Sequence, residues 1–360
     1  MKKTSRRKQS GEWKEKPAIT VGLDLGDRFI HYCMVSPDGE VVEEGRIPTN
    51  PAALRRQFDG EPRQRIAMEC GTHSPWISRL LNKLGHQVIV ANARKLRAIS
   101  ENESKNDRVD AEMLARLAYS DPHLLSPIQH RSVERQQDLN LIHARDTLVR
   151  ARTMLVNAVR GRVKSAGGRL PTCATAYFAQ RVSTALPAEL RPALQPLLEQ
   201  ITALTTRIGR MDQQIERLGE SYPEIQVLRT APGVGPVIAA AYVLTLDRAD
   251  AVRGSREAGA FLGLRPRQSQ SGDSHPEHRI SKTGNIFLRR LLVQAAHYIL
   301  GRFGPDSALR RWGWKLAGSG GKRGKKRAIV AVARKLAVIL HCMWRTGQSY
   351  QAFPEQTAIA

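Results

Sequence analysis

The sequence predicts an α/β domain at its N-terminal end, followed by an all-α region that begins with coiled-coil helices. Three observations support this prediction. Short apolar runs separated by turn residues continue as far as Ala91, which is typical of strands. Apolar residues then recur every seven residues, or in steps of four and three, between 141 and 218, as they do in long paired helices. After residue 223, helically spaced apolar runs alternate with glycine turns.

The α/β domain, residues 17–130, shows its elements in an ordered series. We predict strands near 18–24, 28–35, 40–47, 65–69 and 87–91, with helices near 74–84 and 107–119. Three strands that form a meander, followed by alternating helix and strand, are the order of a ribonuclease-H-like (RuvC-like) domain. Residues 1–16 are basic and lack the apolar core of a signal peptide, so we expect a flexible arm that contacts nucleic acid.

Four carboxylates lie where such a domain would gather them. Asp24 ends an apolar strand, Glu69 ends another, and Asp107 and Asp110 open a helix, where a spacing of three places both on one face. Each acid alone would suit the surface, and the helix pair would also suit a helix N-terminus. Asp24, however, lies in a run that reads as a buried strand, where an unpaired carboxylate is costly. The set therefore predicts a site for Mg²⁺, with Mn²⁺ as the alternative.

Two long helices are predicted for residues 131–222. Ile142, Val149, Val156 and Val163 repeat every seven residues. A second apolar seam follows, comprising Leu197, Ile201, Leu204, Ile208, Met211, Ile215 and Leu218. These coiled-coil helices would either fold back on each other as an antiparallel hairpin or pair between subunits, and the sequence does not choose between the two.

The C-terminal domain, residues 223–348, opens with a glycine turn between two helical runs. Gly233 and Gly235 in APGVGPV give it the form of a helix-hairpin-helix, whose backbone N–H groups can approach a DNA phosphate. A packed helix connection is the alternative. Residues 349–360 form a short tail.

A polar loop further along carries Ser271 and Gly272. Basic residues surround it, namely Arg265, Arg267, Arg279, Lys282, Arg289 and Arg290. A serine in this setting would attack phosphorus while guanidinium groups stabilise charge on the phosphate oxygens, although Ser and Gly are also ordinary loop residues.

A second basic run, Gly318–Arg327, is expected to be flexible and to bind nucleic acid or to serve as a solvated linker. Its basic residues are Lys322, Arg323, Lys325, Lys326 and Arg327. Three nearby tryptophans, Trp312, Trp314 and Trp344, have a helical spacing that favours core packing over base stacking.

The charge of the chain points to phosphates. Lys and Arg number 57 against 33 Asp and Glu, a net charge of +24. The last 135 residues hold 22 basic and 7 acidic residues, a surplus of 15, so we expect this region to carry much of the nucleic-acid contact. The four cysteines have no zinc-ligand spacing and indicate reduced thiols in a cytoplasmic protein. No apolar stretch is long enough to span a membrane, so we expect a nucleoid-associated protein without a membrane partner.

Taken together, VGLDLG, IAMECG, KNDRVDAEMLA, APGVGPVIAAA and LGLRPRQSQSGDS with RISKTGNIFLRRLLVQAA resemble the DEDD transposases of bacterial insertion-sequence family one hundred and ten. Related site-specific DNA invertases share the pattern. The resemblance extends from about residue 18 to residue 345 in the right order.

The resemblance implies a RuvC-like domain, a coiled-coil segment and a C-terminal transposase domain. It assigns Asp24, Glu69, Asp107 and Asp110 to Mg²⁺, and Ser271 to a covalent 5′-phosphoserine link with double-stranded target and donor DNA. It also implies a structured noncoding bridge RNA that specifies both DNAs, and a homodimer or homotetramer. The alternatives are a two-metal Holliday-junction nuclease, a DNA invertase or a non-catalytic nucleic-acid scaffold.

Overall fold

The N-terminal unit is built around a mixed sheet of five strands. A computed structural model describes residues 17–93, 106–267, 278–318 and 320–354, and the chain divides into two compact units between His130 and Arg131. The predicted basic arm, residues 1–16, lies outside the described residues. The strands of the sheet are β1 (Thr20–Leu25), β2 (Phe29–Val35), β3 (Val41–Pro48), β4 (Arg65–Glu69) and β5 (Gln87–Ala91).

The strand order is β3-β2-β1-β4-β5, with β1 antiparallel to β2 and parallel to β4. Strands β1, β2 and β3 form an antiparallel meander, and β4 and β5 run parallel to β1. The connections from β3 to β4 and from β4 to β5 each contain a helix, as connections between parallel strands usually do. All five strands lie within two residues of their predicted bounds, and the prediction of a ribonuclease-H-like α/β domain is confirmed.

Within the described residues of this unit, three α-helices accompany the sheet, namely α1 (Pro51–Phe58), α2 (Ser74–Lys83) and α3 (Asp107–Ser120). The sequence reasoning missed α1. Its start carries a recognisable signal, because the Asn50 side chain accepts a hydrogen bond from the Ala53 N–H at 2.9 Å and Pro51 occupies the first helical position.

Helix α3 lies directly against β1. A Cβ atom at Gly22 would lie 2.0 Å from the Ala111 carbonyl oxygen and 2.5 Å from the Ala115 nitrogen, so only glycine permits this approach. At the other end of α3, the buried Arg65 guanidinium donates to the Ala118 carbonyl at 3.2 Å. Both contacts fix the height and direction of α3 over the sheet.

The two edges of the sheet differ. Strand β3 forms one edge and carries the charged residues Glu43, Glu44 and Arg46. Strand β5 forms the other edge, where the Ile128 N–H donates to the Val90 carbonyl at 2.9 Å and covers part of the strand.

The second unit is helical. Its helices are α4 (Val133–Ser165), α5 (Phe178–Ser183), α6 (Arg191–Ser221), α7 (Pro223–Arg229), α8 (Pro236–Leu246), α9 (Ser255–Phe261), α10 (Ile286–Leu300), α11 (Ala308–Ala317) and α12 (Gly321–Thr346). Among the described residues, no helix has the length and apolarity needed to cross a membrane.

Helices α4 and α6 pack on each other as an antiparallel hairpin within the chain. Arg145 on α4 donates to Asp212 on α6 at 2.8 Å, and Arg152 donates to Thr205 at 3.2 Å. The later residue on α4 contacts the earlier residue on α6, so the two helices run in opposite directions. The sequence left open whether these helices form a hairpin within the chain or pair between subunits. The structure shows the hairpin, and the two helices fill the apolar seam between them.

The core of this unit surrounds α8, whose residues from Ala239 to Leu246 are buried. Arg131, two residues before α4, and Arg135, in the first turn of α4, donate to carbonyls at the C-terminal end of α8. Arg131 donates to the Leu244 carbonyl at 2.7 Å, and Arg135 donates to the Asp247 carbonyl at 2.5 Å. Positive groups at a helix C-terminus are favoured by the helix dipole, so these contacts tie α4 to α8.

The expectation of a flexible run over Gly318–Arg327 is wrong for residues 321–327, which form the first turns of α12. Lys and Arg are good helix formers, and the buried Ala328 and Val332 continue the same helix along one apolar face. Trp312 and Trp344 pack against the core, as predicted, whereas Trp314 is 44% exposed.

The start of the predicted tail has a defined path. The Tyr350 N–H donates to the Thr230 hydroxyl at 2.8 Å, and the Ala308 N–H donates to the Ala352 carbonyl at 2.8 Å. Residues 355–360 lie outside the described residues.

Candidate metal centre and nucleic-acid interface

Asp24 and a histidine face each other across the β1–β2 hairpin. Asp24 on β1 pairs with His31 on β2 in the antiparallel register, which places both side chains on the same face of the sheet. Asp107, the first residue of α3, joins them. One ligand atom from each of the three residues lies within 4.8 Å of the others, and His31 Nδ1 lies 3.6 Å from Asp107 Oδ2.

The other two predicted acids lie around this group. Glu69 is the last residue of β4, and because Leu23 pairs with Met68 in the parallel register, Glu69 follows beside Asp24. Asp110 lies one turn along α3 from Asp107, on the same side of the helix. The close approach of α3 at Gly22 brings both helix acids over β1.

The pKa of Asp24 is affected by the charges of the other three acids. Burial is the largest effect, and together with the charges of Asp107, Asp110 and Glu69 it raises the pKa of Asp24 from 3.8 to about 6, while His31 acts in the opposite direction. Carboxylates held this close repel one another unless a cation or a proton intervenes. The oxygen-rich donor set therefore fits a divalent metal ion.

Sequence reasoning missed His31, which lies inside an apolar strand. The signal was present in the hairpin register. Leu25 and Ile30 pair on either side of the turn at residues 26–29, and one step outward pairs residue 24 with residue 31. Imidazole suits transition metals better than it suits Mg²⁺, so His31 either binds a metal directly or orients the Asp107 carboxylate from 3.6 Å.

We expect His31→Ala to weaken Mn²⁺ binding about 10- to 100-fold, the usual cost of losing a ligand-supporting group at a metal site. Isothermal titration of the full chain with MnCl₂ measures this change. His73→Ala is the matched control, because His73 pairs with the exposed Asp27 at 3.1 Å and lies outside the three-residue group. Equal affinities for wild type and His31→Ala would remove His31 from the site.

Gly233 and Gly235 occupy the turn between α7 and α8. Gly233 has φ of +74°, which favours glycine, and a Cβ atom there would lie 3.0 Å from the Ala295 carbonyl oxygen. The turn is thus packed against α10. It also lines a groove of about 560 Å³ together with Arg145 and Arg229, so packing and phosphate contact are compatible at this turn.

Ser271 lies outside the described residues, but the chain on either side of residues 268–277 is ordered by backbone hydrogen bonds. The Arg267 N–H donates to the Arg279 carbonyl at 3.0 Å, and the Ser281 N–H donates to the Arg265 carbonyl at 2.8 Å. The Lys282 N–H closes the pairing by donating to the Gly263 carbonyl at 3.0 Å. We call these paired segments, residues 263–267 and 279–282, the loop base.

The predicted basic residues fall into two groups. Arg289 donates to the Leu262 carbonyl at 2.9 Å, and Arg290 forms an ion pair with Asp146 at 2.5 Å, so both make contacts within the chain. The others are exposed at the loop base or at the start of α12, and they are Arg265, Arg267, Arg279, Lys282, Lys322, Arg323, Lys325, Lys326 and Arg327.

Known proteins match both units. Residues 21–166 match the family profile of the DEDD transposases of IS110, described as a transposase, and residues 225–311 match that of the transposase IS116/IS110/IS902 family. A probable family 20 transposase of Pseudomonas aeruginosa is 31% identical over 89% of this chain and 95% of its own length. The chain belongs to the IS110 family of transposases.

Two further relatives are transposases of named insertion sequences. That of IS1111A from Coxiella burnetii is 25% identical, over 92% of this chain and 91% of its own length. That of IS1328 from Yersinia enterocolitica is 30% identical, over 82% of this chain and 89% of its own length.

Membership of the IS110 family makes DNA the substrate of this chain and makes the chain an enzyme that cuts and recombines DNA. The first matched region contains all four predicted acids, and the second contains the glycine turn and the loop base. The DEDD character of the family and the group around Asp24 agree in pointing to a divalent metal.

Proposed function

We propose that this IS110-family transposase cuts and rejoins DNA through Ser271, at positions specified by a structured noncoding RNA encoded by the element. Mg²⁺ is the proposed metal, with Mn²⁺ as the alternative, and Asp24, Glu69, Asp107 and Asp110 are its proposed ligands. The observation that carries the proposal is the convergence of these acids on Asp24, in a chain with the family's DEDD region.

In the proposed step, the Ser271 hydroxyl oxygen attacks a DNA phosphorus atom. A serine–phosphorus bond forms as the bond from phosphorus to the 3′-oxygen breaks, which leaves a 5′-phosphoserine and a free 3′-hydroxyl. One proton leaves the serine and one joins the 3′-oxygen, so no proton is gained or lost. Attack by the 3′-hydroxyl of another strand reverses the chemistry and joins the new pair of ends. The number of ester bonds is unchanged, so strand exchange needs no external energy source.

In this proposal the acidic residues bind the metal and the basic residues bind the nucleic acids. When bound, the metal would stabilise negative charge on the phosphate oxygens. The four acids would hold the metal, and Gly22 sets the height of α3 over β1 and hence that of Asp107 and Asp110. The exposed basic residues of the loop base and of α12 would hold the DNA and RNA backbones.

Strand exchange requires several cut strands to be held together, so we propose that the active form is a homodimer or a homotetramer. In this assembly the acids of one subunit would meet the serine of another. Filling of the α4–α6 seam within one chain leaves the outer faces of that hairpin for subunit contacts.

A covalent adduct tests this function. The full chain is mixed with Mg²⁺, the element's RNA and its DNA, and the products are separated under denaturing conditions. We expect a protein–DNA adduct from the wild type and none from Ser271→Ala, because the alanine has no hydroxyl oxygen to attack phosphorus. Ser269→Ala and Ser274→Ala are matched controls that should retain the adduct.

Each other outcome identifies a different mechanism. An adduct from Ser271→Ala would place the nucleophile elsewhere. Cleavage without an adduct in both wild type and Ser271→Ala would indicate hydrolysis by a two-metal, RuvC-like nuclease. An undiminished yield without the RNA would exclude RNA guidance of the cut.

A further inference from the structure

A basic cavity of about 430 Å³ opens beside the loop base. It is distinct from the acidic group on the sheet and from the groove at the glycine turn. Its lining residues are Arg256, Glu257, Ala260, Arg265, Pro266 and Arg334.

Three elements build the cavity walls. Helix α9 supplies Arg256 and Glu257, α12 supplies Arg334, and the loop base supplies Arg265. The bridge between Pro266 and Ile280 holds the loop-base wall in place. The cavity therefore has walls from well-separated parts of the sequence, which gives it a defined shape.

Helix α9 is anchored to α12 by a buried histidine. His341 Nε2 donates to the Ala249 carbonyl at 2.8 Å, which leaves Nδ1 to accept from the Ser255 hydroxyl at 3.0 Å. Burial lowers the pKa of His341, consistent with the neutral ring that this pattern needs. The Arg334 stem crosses α9 at Gly259, where a Cβ atom would lie 2.9 Å from Arg334 Cγ.

The charges in the cavity lack compensation. Over the described parts of the chain, the guanidinium groups of Arg256, Arg265 and Arg334 form no ion pair or hydrogen bond, whereas those of Arg145, Arg229 and Arg290 each pair with an acid. Glu257 is the one acid among the lining residues. Among the described lining residues, three guanidinium groups and one carboxylate sum to a charge of +2, which attracts an anion.

We propose that this cavity binds a backbone phosphate of duplex DNA beside the strand that is cut. Guanidinium groups donate in pairs to phosphate oxygens, and three of them converge here from different elements. Arg265 and Pro266 lie a few residues before Ser271 in the sequence, so a phosphate bound here would fix the DNA next to the serine segment. Arg256 and Arg334 are then positioning residues. This inference rests on the proposed function only for the role of that segment.

Binding without chemistry is the direct test. The full chain carrying Ser271→Ala is titrated with a mixed-sequence DNA duplex of about 30 base pairs at salt concentrations between about 50 and 200 mM. A backbone phosphate contact is independent of sequence, so neither the target nor the RNA is needed. Fluorescence anisotropy gives the affinity and its dependence on salt.

Replacing both Arg256 and Arg334 with Gln should lower the affinity about tenfold or more and reduce the salt slope by about 1 to 2. Glu257→Gln should raise the affinity severalfold, because it removes the negative charge of the cavity. Arg253→Gln is the matched control, an exposed arginine of the preceding loop that does not line the cavity, and its salt slope should equal that of the parent.

The Arg256→Lys and Arg334→Lys double variant separates charge from folding. It keeps the charge and loses the guanidinium fork, so we expect the salt slope of the parent with a severalfold weaker affinity. An unchanged affinity for the DNA duplex and an unchanged salt slope in the glutamine double variant would overturn the inference. If the wild type forms no protein–DNA adduct but the glutamine double variant shows the reduced salt slope, the serine mechanism is overturned and the phosphate site is not.

Discussion

Asp24→Asn should reduce DNA strand cleavage by roughly a thousandfold and at the same time make the metal-free protein more stable near neutral pH. The loss of activity follows from the removal of a central charged ligand. The gain in stability follows from the cost of holding that charge in a partly buried position and beside three other acids.

The sign of the stability effect comes from the pKa. Burial and the neighbouring acids raise the pKa of Asp24 from 3.8 to about 6, so the folded chain holds a proton that the unfolded chain has lost. The stability of the metal-free wild type therefore falls as the pH rises between these two values. This difference corresponds to about 3 kcal/mol, and solvent screening of a partly exposed group reduces the expected gain to about 1 kcal/mol.

Thermal unfolding of the full chain between about pH 4 and pH 8, with EDTA or with Mg²⁺, measures this effect. We expect Mg²⁺ to raise the Tm of the wild type above pH 6 and to leave that of Asp24→Asn unchanged. Asp27→Asn is the control, because the Asp27 side chain is 97% exposed. A lower Tm for metal-free Asp24→Asn at neutral pH would contradict the repulsion described for this site.

Gly22→Ala should cost about 3 kcal/mol or more of unfolding free energy in the N-terminal unit, near the upper end for an overpacked core position. The added methyl group would lie 2.0 Å from the backbone oxygen of Ala111, and a helix backbone cannot give way as a flexible side chain can. Helix α3 must move off β1, and it carries Asp107 and Asp110 with it. Metal binding should therefore fall together with stability.

Urea unfolding of the full chain and titration with MnCl₂ measure the two effects. Gly71→Ala is the matched control, since a Cβ atom there has no neighbour within 4 Å, and we expect it to change stability by no more than about 0.5 kcal/mol. Normal Mn²⁺ affinity in a destabilised Gly22→Ala would show that α3 can shift without moving its acids.

Much of the sheet was accessible from sequence because each strand is an apolar run bounded by turn residues. The same reasoning predicted Asp24, Glu69, Asp107 and Asp110 as a set, since each lies near the end of a strand or the start of a helix. His31 was not predicted, because its place beside Asp24 depends on pairing between strands rather than on its neighbours in the chain. Helix α1 was missed because it has only eight residues, too few for helical periodicity to stand out.

The helical unit shows where local patterns fail. The apolar seam from Leu197 to Leu218 predicted a helix that packs on another helix, but it did not identify that helix. Tertiary contacts made by residues 166–190 determine the pairing with α4. Phe178 and Val182 from this connection pack with Val159 and Ile201 and close the hairpin. In the basic run, the glycines suggested flexibility, whereas the apolar face that begins at Ala328 extends α12 back to Gly321.

The edges of the sheet restrict how subunits can come together. A bare, apolar edge strand can pair with the edge of another molecule and continue the sheet across both. Here β3 carries Glu43, Glu44 and Arg46, and charged side chains on an edge strand oppose such pairing. The segment at Ile128 occupies part of β5. Growth by strand addition is therefore disfavoured at both edges. In the proposed dimer or tetramer, protomers would therefore meet through side-chain surfaces, which can separate and re-form as strands are exchanged.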